Sequence, residues 1–331
     1  MQNKEMPAPG RTAARYLRAL AVGGGDLIQA ASFAAESRWL DSERVKGLID
    51  AHMLGTAPQR NWAAESFVDY LRPRTIVGQL AALFRPAAFG VGGAIATAGT
   101  QSWWTAEGGS TAPSAMAFSA TEPMQPRKIS AMSVISNELA RASAADEIVS
   151  RDLARACAHG LDTAFVDGQA GTDARPAAVN ANAVTVASAG SILKDAAAAL
   201  AAFGGSVSSA AWIAHPRTAA AAGLQHGENT QANIGATGGT LAGLPVVTSE
   251  AMAENTLLLI DAGGIEMAMD DTAELRTGNQ GAVEMVNPAT GAAELVSLYQ
   301  NNLTALLALL RANWRVVGPA GSVVQVTGAA Y

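Results

Sequence analysis

The chain has one cysteine, Cys157, so no disulfide can form within it and no cysteine-based zinc cluster can be built. Charge is also scarce: 15% of the 331 residues are charged, against 49% apolar. That balance excludes a disordered chain, and a low charged fraction is what surfaces show where partners cover them. No uninterrupted apolar run reaches the ~18 residues of a membrane span, so no membrane partner is expected. Arg11, Arg15 and Arg18 precede an apolar stretch in the manner of a targeting segment, but the run breaks at Gly23-Gly24-Gly25-Asp26, and no export is expected. Lysine is the scarcest cation: beyond residue 62 the chain carries only Lys128 and Lys194.

Signs of catalysis are equally few. None of His52, His159, His215 and His226 pairs with cysteine or carboxylate at metal-ligand spacing. There is no Gly-x-Ser-x-Gly elbow and no phosphate-binding Gly-x-x-x-x-Gly-Lys. Gly90-Val91-Gly92-Gly93 and the glycines between 235 and 239 read as loops, and the acids between 167 and 173 lack the spacing of a calcium loop. The sequence therefore predicts neither cofactor nor metal nor enzymatic activity.

What is present is order along the chain. Residues 1–62 carry a net +2 and the remainder −8, and so acidic a body does not suit a protein that grips nucleic acid through phosphates. The first 62 residues read as separable and helical, with helices over 11–21, 27–40 and 42–53; Val45, Leu48 and Ile49 share one face of the third, and a linker follows at 55–58. Residues 67–76 read as a short extended or turn segment, because Pro73 turns its neighbour away from helix. Residues 89–120, rich in Gly, Ala, Ser and Thr, suggest a long hairpin leaving the body. A strand is expected at 127–136. The strongest helix spans 145–166, where Leu153, Cys157, Leu161 and Phe165 recur every four positions and Gly168 is placed to end it. Further helices are expected at 192–203 and 216–224. Strands are expected at 210–214, 244–247, 256–261 and 322–326, with a strand-rich tail over 295–317.

Several segments, in this order, resemble the Hong Kong 97 type tailed-phage major capsid proteins. They are Trp103-Trp104-Thr105-Ala106-Glu107-Gly108; Pro126-Arg127-Lys128-Ile129 with Val134-Ile135-Ser136-Asn137-Glu138-Leu139; Asp162-Thr163-Ala164-Phe165 with Asp167-Gly168 and Gly171-Thr172; Leu241-Ala242-Gly243-Leu244-Pro245-Val246-Val247; and 297–302. The resemblance covers roughly residues 63–331. It implies an α+β fold with a helical N-terminal segment at 1–62 (an arm or short scaffold-like region), an N-arm at 63–88 and an extended β-hairpin arm at 89–122. It further implies a peripheral lobe of 123–168 and 282–316 built on a spine helix, and an axial lobe of 169–281 and 317–331.

The same resemblance implies the function. The chain would assemble with many copies of itself, as pentamers and hexamers, into an icosahedral phage head. That head would form in the host cytoplasm and enclose double-stranded DNA without sequence specificity. The further partners it implies would be a portal and a scaffold or maturation protease. Trp103, Trp104, Glu107 and Gly108 would form an intersubunit contact on the arm; Leu153, Cys157, Leu161 and Phe165 the core of the spine helix; and Arg11, Arg15 and Arg18 a contact with DNA or a neighbour. Some relatives cross-link through an arm lysine and an asparagine. Asn302 falls near the acceptor position, but 89–122 contain no lysine and the assisting acid is replaced in the 306–310 run, so the shell is expected to be non-covalent. The alternatives are an encapsulin-like nanocompartment, which shares the architecture, and a soluble oligomeric enzyme.

Overall fold

The computed structural model describes residues 10–331 apart from 25, 38, 54–61, 99, 101, 109, 111–113, 142–144, 226–231 and 287–290. The linker expected at 55–58 and His226 lie outside the described residues. Three helices open the chain: α1 Arg11–Val22, α2 Leu27–Glu36 and α3 Ser42–Met53. The Asp26 carboxylate caps α2 by accepting from the Ile28 and Gln29 N–H groups. α2 stops at Glu36, short of the expected residue 40; the chain turns extended at Ser37, and Trp39 packs edge-on against Phe33 at 5.6 Å. α3 buries the expected Val45, Leu48 and Ile49.

Next come α4 Trp62–Leu71, a 3-10 turn Arg72–Arg74 and a short α5 Ile76–Gln79. This corrects the expectation of a short extended or turn segment at 67–76: only Arg72–Arg74 turns, and the residues before it are helical. Phe67, Val68 and Leu71 make one buried helical face, and Pro73 sits in the first turn of the 3-10 segment, where a missing N–H is tolerated. After β1 Arg85–Pro86 the chain leaves as a hairpin, β2 Gly93–Ala98 and β3 Ala117–Thr121. It returns through β4 Arg127–Ser136 and α6 Asn137–Arg141 into α7 Ala145–Val166, whose 22 residues span ~33 Å. Gly168 follows the helix end with φ 74, a left-handed conformation that favours glycine.

The next segment runs through β5 Val184–Ala187, α8 Ile192–Ala202, β6 Ala210–Ala214 and α9 Pro216–Gln225. It continues as β7 Ala232–Gly235, β8 Gly238–Leu241, β9 Leu244–Thr248 and β10 Thr256–Asp261. The chain then crosses back through β11 Ile265–Met269 and β12 Glu274–Gly278, forms a second hairpin from β13 Ala282–Val286 and β14 Ala293–Ser297, and closes with β15 Leu303–Val316 and β16 Val323–Thr327.

Two sheets organise these elements. In the first, the 14-residue β15 pairs with β4 along one edge and with β12 and β11 in succession along the other, while β1 adds to β11. The second is seven-stranded, in the order β5-β16-β10-β6-β9-β8-β7. Its central strands are covered on both faces. Leu257 and Leu259 of β10 pack with α8 and α9, while Leu258 and Ile260 face the core shared with the first sheet. That double burial is why β10 and β6 read as continuous apolar runs.

α7 ties the cores together. Leu153 and Cys157 pack with β4, β15 and the N-terminal helices, and Leu161 and Phe165 with the core between the two sheets. The N-terminal helices do not stand apart as the sequence suggested. Ala13, Tyr16 and Leu17 of α1 are buried in the same cluster as Leu153 of α7 and Leu306 of β15. Segment α1 is apolar enough on one side to be drawn into that core.

Candidate assembly surfaces

The hairpin of β2 and β3 is clamped at its root. Gly90 N–H donates to the Met124 carbonyl at 3.0 Å. From β15, the Asn313 amide donates to the Gln125 carbonyl at 2.6 Å and the Arg315 guanidinium to the Glu122 carbonyl at 2.7 Å. Arg315 is held in turn by Glu266, its cross-strand neighbour on β11, at 2.6 Å. The long strand therefore fixes the direction in which the arm leaves.

The arm itself carries little that could hold it together alone. β2 and β3 pair with no further strand among the described residues, and an isolated two-stranded hairpin is marginal in water. Val91, Met116 and Phe118 are exposed along it. Beyond the strands lie the four residues singled out from the sequence. Trp103 is half exposed, Trp104 is fully exposed at 103%, and Glu107 and Gly108 form a turn in which Gly108 has φ 78. Apolar side chains left in water at the end of an extended arm make this tip a candidate for a partner surface.

The hairpin of β13 and β14 is a second candidate of this kind, which sequence reasoning missed. Val286, Leu295 and the nearby Tyr299 are exposed at 67%, 77% and 80%. The signal was available: 287–291 read Asn-Pro-Ala-Thr-Gly, turn chemistry between two alternating stretches. Reading 295–317 as one strand-rich tail hid it.

α7 has two unlike faces. Its inward stripe of Leu153, Cys157, Leu161 and Phe165 is buried throughout, and the Phe165 ring lies edge-on to Trp314 at 5.2 Å and to Phe84 at 5.9 Å. Burial pushes the Cys157 thiol up to about 11, away from reactivity. Its outward side presents Arg151, Arg155 and His159 beside Arg74 on a cleft floored by Asp162. Burial raises the Asp162 carboxyl to about 6. Its hydrogen bonds from Ser249 Oγ at 2.7 Å and Ile76 N–H at 2.9 Å pull the other way and hold α7, the second sheet's border and α5 together.

The N-terminal arginines require a correction. Arg15 and Arg18 do not face outward: they are 9% and 7% exposed. Arg15 pairs with the buried Asp41, which also accepts from Thr12 at 2.7 Å, and Arg18 donates to the Ala140 and Arg141 carbonyls at 2.7 and 3.1 Å. A buried guanidinium needs such partners, so these two serve the subunit interior. Arg11 is exposed.

At the start of β15, Asn302 sits with φ 53, and its side-chain oxygen accepts from the Asn137 amide at 2.7 Å. Thr304 donates to the other end of that amide at 2.6 Å. Leu306 and Leu310 point into the core. Lys128 lies on β4 and Lys194 on α8, both off the arm. Among the described residues no group of His, Cys, Asp and Glu is arranged to hold a metal ion, and no helix is long and apolar enough to cross a membrane. His52 meets the Tyr16 hydroxyl at 3.1 Å, and His215 accepts from Arg217 N–H at 3.2 Å and lies 4.0 Å from a Glu254 carboxylate oxygen.

Comparison with known proteins gives one direction. The sequence profile of the Phage capsid family matches residues 58–324. The capsid polyprotein of Pseudomonas phage PAJU2 is 31% identical over 278 residues, which is 75% of this chain and 41% of that polyprotein, so the chain spans less than half the relative's length. A solved structure from Gordonia phage Cozz superposes with a TM-score of 0.51 at 15% identity, covering 78% of this chain and 87% of its own. One from Mycobacterium phage Cain gives 0.50 at 12%, covering 75% and 89%. At such identities the likeness is one of fold.

Proposed function

Because the chain belongs to the phage capsid family, we propose that it is a major capsid subunit that works by non-covalent self-assembly and not by catalysis. The observation that carries this reading is the arm. It is a clamped hairpin that pairs with no further strand among the described residues, and beyond it Trp104 is fully exposed. Such an element is costly in a free monomer and becomes stable when a neighbour covers it.

On this reading the sheet containing β15, together with α7, is the peripheral lobe, and the seven-stranded sheet is the axial lobe that meets its copies at the capsomer centre. Pentamers and hexamers then close an icosahedral phage head around double-stranded DNA, with portal, scaffold and protease as further partners. The lack of lysine on the arm and the occupied Asn302 amide support a shell without isopeptide bonds.

Light scattering of the expressed chain tests the reading. Megadalton particles or capsomers are expected for the parent. Trp104→Ala is expected to reduce particle yield while leaving the subunit's unfolding midpoint unchanged. A parent that stays a small oligomer, or a Trp104→Ala variant that assembles normally, contradicts the proposal.

A further inference from the structure

We propose that the cationic cleft on the outward side of α7 grips the phosphate backbone of the enclosed duplex DNA without reading its bases. This rests on the shell reading above and names where that DNA would be held.

Arg151, Arg155 and His159 recur every four residues along α7, so they stand in one row on one helical face. All three are exposed. At about 1.5 Å per residue the row is ~12 Å long. Arg74 joins it from the turn before α5. Its guanidinium lies 3.6 Å from the centroid of the Tyr70 ring and donates to the Tyr70 carbonyl at 2.7 Å. Those contacts hold the group in place and leave most of its N–H donors for a ligand.

Such a row carries a cost that the subunit does not offset. Like charges four residues apart on a helix destabilise it. None of the three arginines has a carboxylate within ion-pair distance among the described residues. Asp152 lies on the same helix but is turned to β4, accepting from Ser133 Oγ at 3.4 Å. Two acids do border the cleft. Both oxygens of Asp162 are taken, by Ile76 N–H and Ser249 Oγ, and Glu250 is exposed and outside ion-pair distance of the arginines. A cleft of ≈ 320 Å³ is thus left with cations for an outside anion to neutralise. The N-terminal end of α9, at Pro216, also borders it, and a helix N-terminus favours negative charge.

Phosphate in a chain is the anion that fits. The planar fork of arginine matches phosphate oxygens. Each strand of duplex DNA offers a phosphate every ~3.4 Å of its axis, so a ~12 Å row meets a run of about three phosphates and not a single ion. The rest of the body is acidic, so DNA is turned away from it and the contact rests on this cluster.

Fluorescence anisotropy of a labelled duplex, titrated at low salt with the purified chain before assembly, tests the contact. Arg151→Gln combined with Arg155→Gln should weaken binding about tenfold, equally for A·T-rich and G·C-rich duplexes, and lower the slope of log K against log salt by about 2. Arg151→Lys with Arg155→Lys keeps the charge and should keep the slope. Arg276→Gln with Arg311→Gln removes as much charge from the face of the first sheet that points away from α7, and should leave binding within about twofold. Equal loss in that control, or unchanged binding by the Arg151 and Arg155 glutamine variant, overturns the proposal. Binding of tripolyphosphate but not of duplex DNA overturns it as well. The glutamine variant's urea midpoint should equal or exceed the parent's, because a like-charge pair is relieved; a lower midpoint would assign the arginines to the subunit's own stability instead. Particle formation by the parent is scored separately. Its absence overturns the shell reading, whereas a parent that forms particles but binds DNA no better than the glutamine variant overturns this contact alone.

Discussion

Replacing Asp162 by Asn isolates what one buried carboxylate does at the meeting point of α7, α5 and the second sheet. Asp162 is 3% exposed and accepts hydrogen bonds from Ser249 Oγ and Ile76 N–H. Burial lifts its carboxyl from 3.8 to about 6, so the folded chain holds this proton more tightly than the unfolded chain does. The stability associated with the protonated group is fully present below about pH 4 and is lost as pH rises through about 6. At 1.36 kcal/mol per pH unit, that loss approaches about 3 kcal/mol at neutrality. Asn keeps the shape and an acceptor for Ile76 but has no proton to lose. Urea unfolding of parent and variant at pH 4, 5, 6 and 7 should therefore show the variant gaining on the parent by about 2.4 kcal/mol across the series. Other carboxylates titrate alike in both chains and cancel in the difference. A difference that stays flat, or one that turns against the variant as pH rises, would refute the argument. The second outcome would mean that Arg74, Arg151 and Arg155 across the cleft stabilise the ionised form more than burial penalises it.

Leu153→Ala removes a side chain that is 2% exposed at the centre of the first core, and should cost about 2–5 kcal/mol of subunit stability in the same urea assay. Asp41→Asn takes the carboxylate from the buried Arg15 and should destabilise by about 3 kcal/mol, whereas Arg11→Ala, on an exposed residue, should change unfolding by less than about 0.5 kcal/mol. Assembled parent particles boiled in denaturant should run as a single monomer band, because the arm has no lysine to form an isopeptide bond.

The parts of the fold legible in the sequence are those whose signal is local and periodic. The four-residue repeat from Leu153 to Phe165 announced α7 over its full observed length, and the unbroken apolar run of β10 announced a strand buried on both faces. The arm was legible as well, since a stretch so poor in large apolar residues has no core to join. The failures share a cause. Pro73 suggested an extended segment, but the buried face of Phe67, Val68 and Leu71 outweighed it and the proline was absorbed at a helix start. Arg15 and Arg18 lie at helical spacing, as a cationic face would, yet their partners are 26 and 122 residues away in sequence. No local pattern encodes that pairing. The exposed tip of the first hairpin coincides with residues singled out from the sequence, whereas the exposed second hairpin was hidden because its turn at 287–291 precedes a stretch read as one long strand-rich tail.

Subunits that close a shell through their arms leave a direct mark on the structure of the assembled particle. Cryo-electron microscopy of particles from the expressed chain measures that directly. Closed icosahedral shells of pentamers and hexamers are expected, with the arm of each subunit lying against a neighbouring subunit. A protein that remains a small soluble oligomer, with its arm folded back on its own subunit, would contradict it.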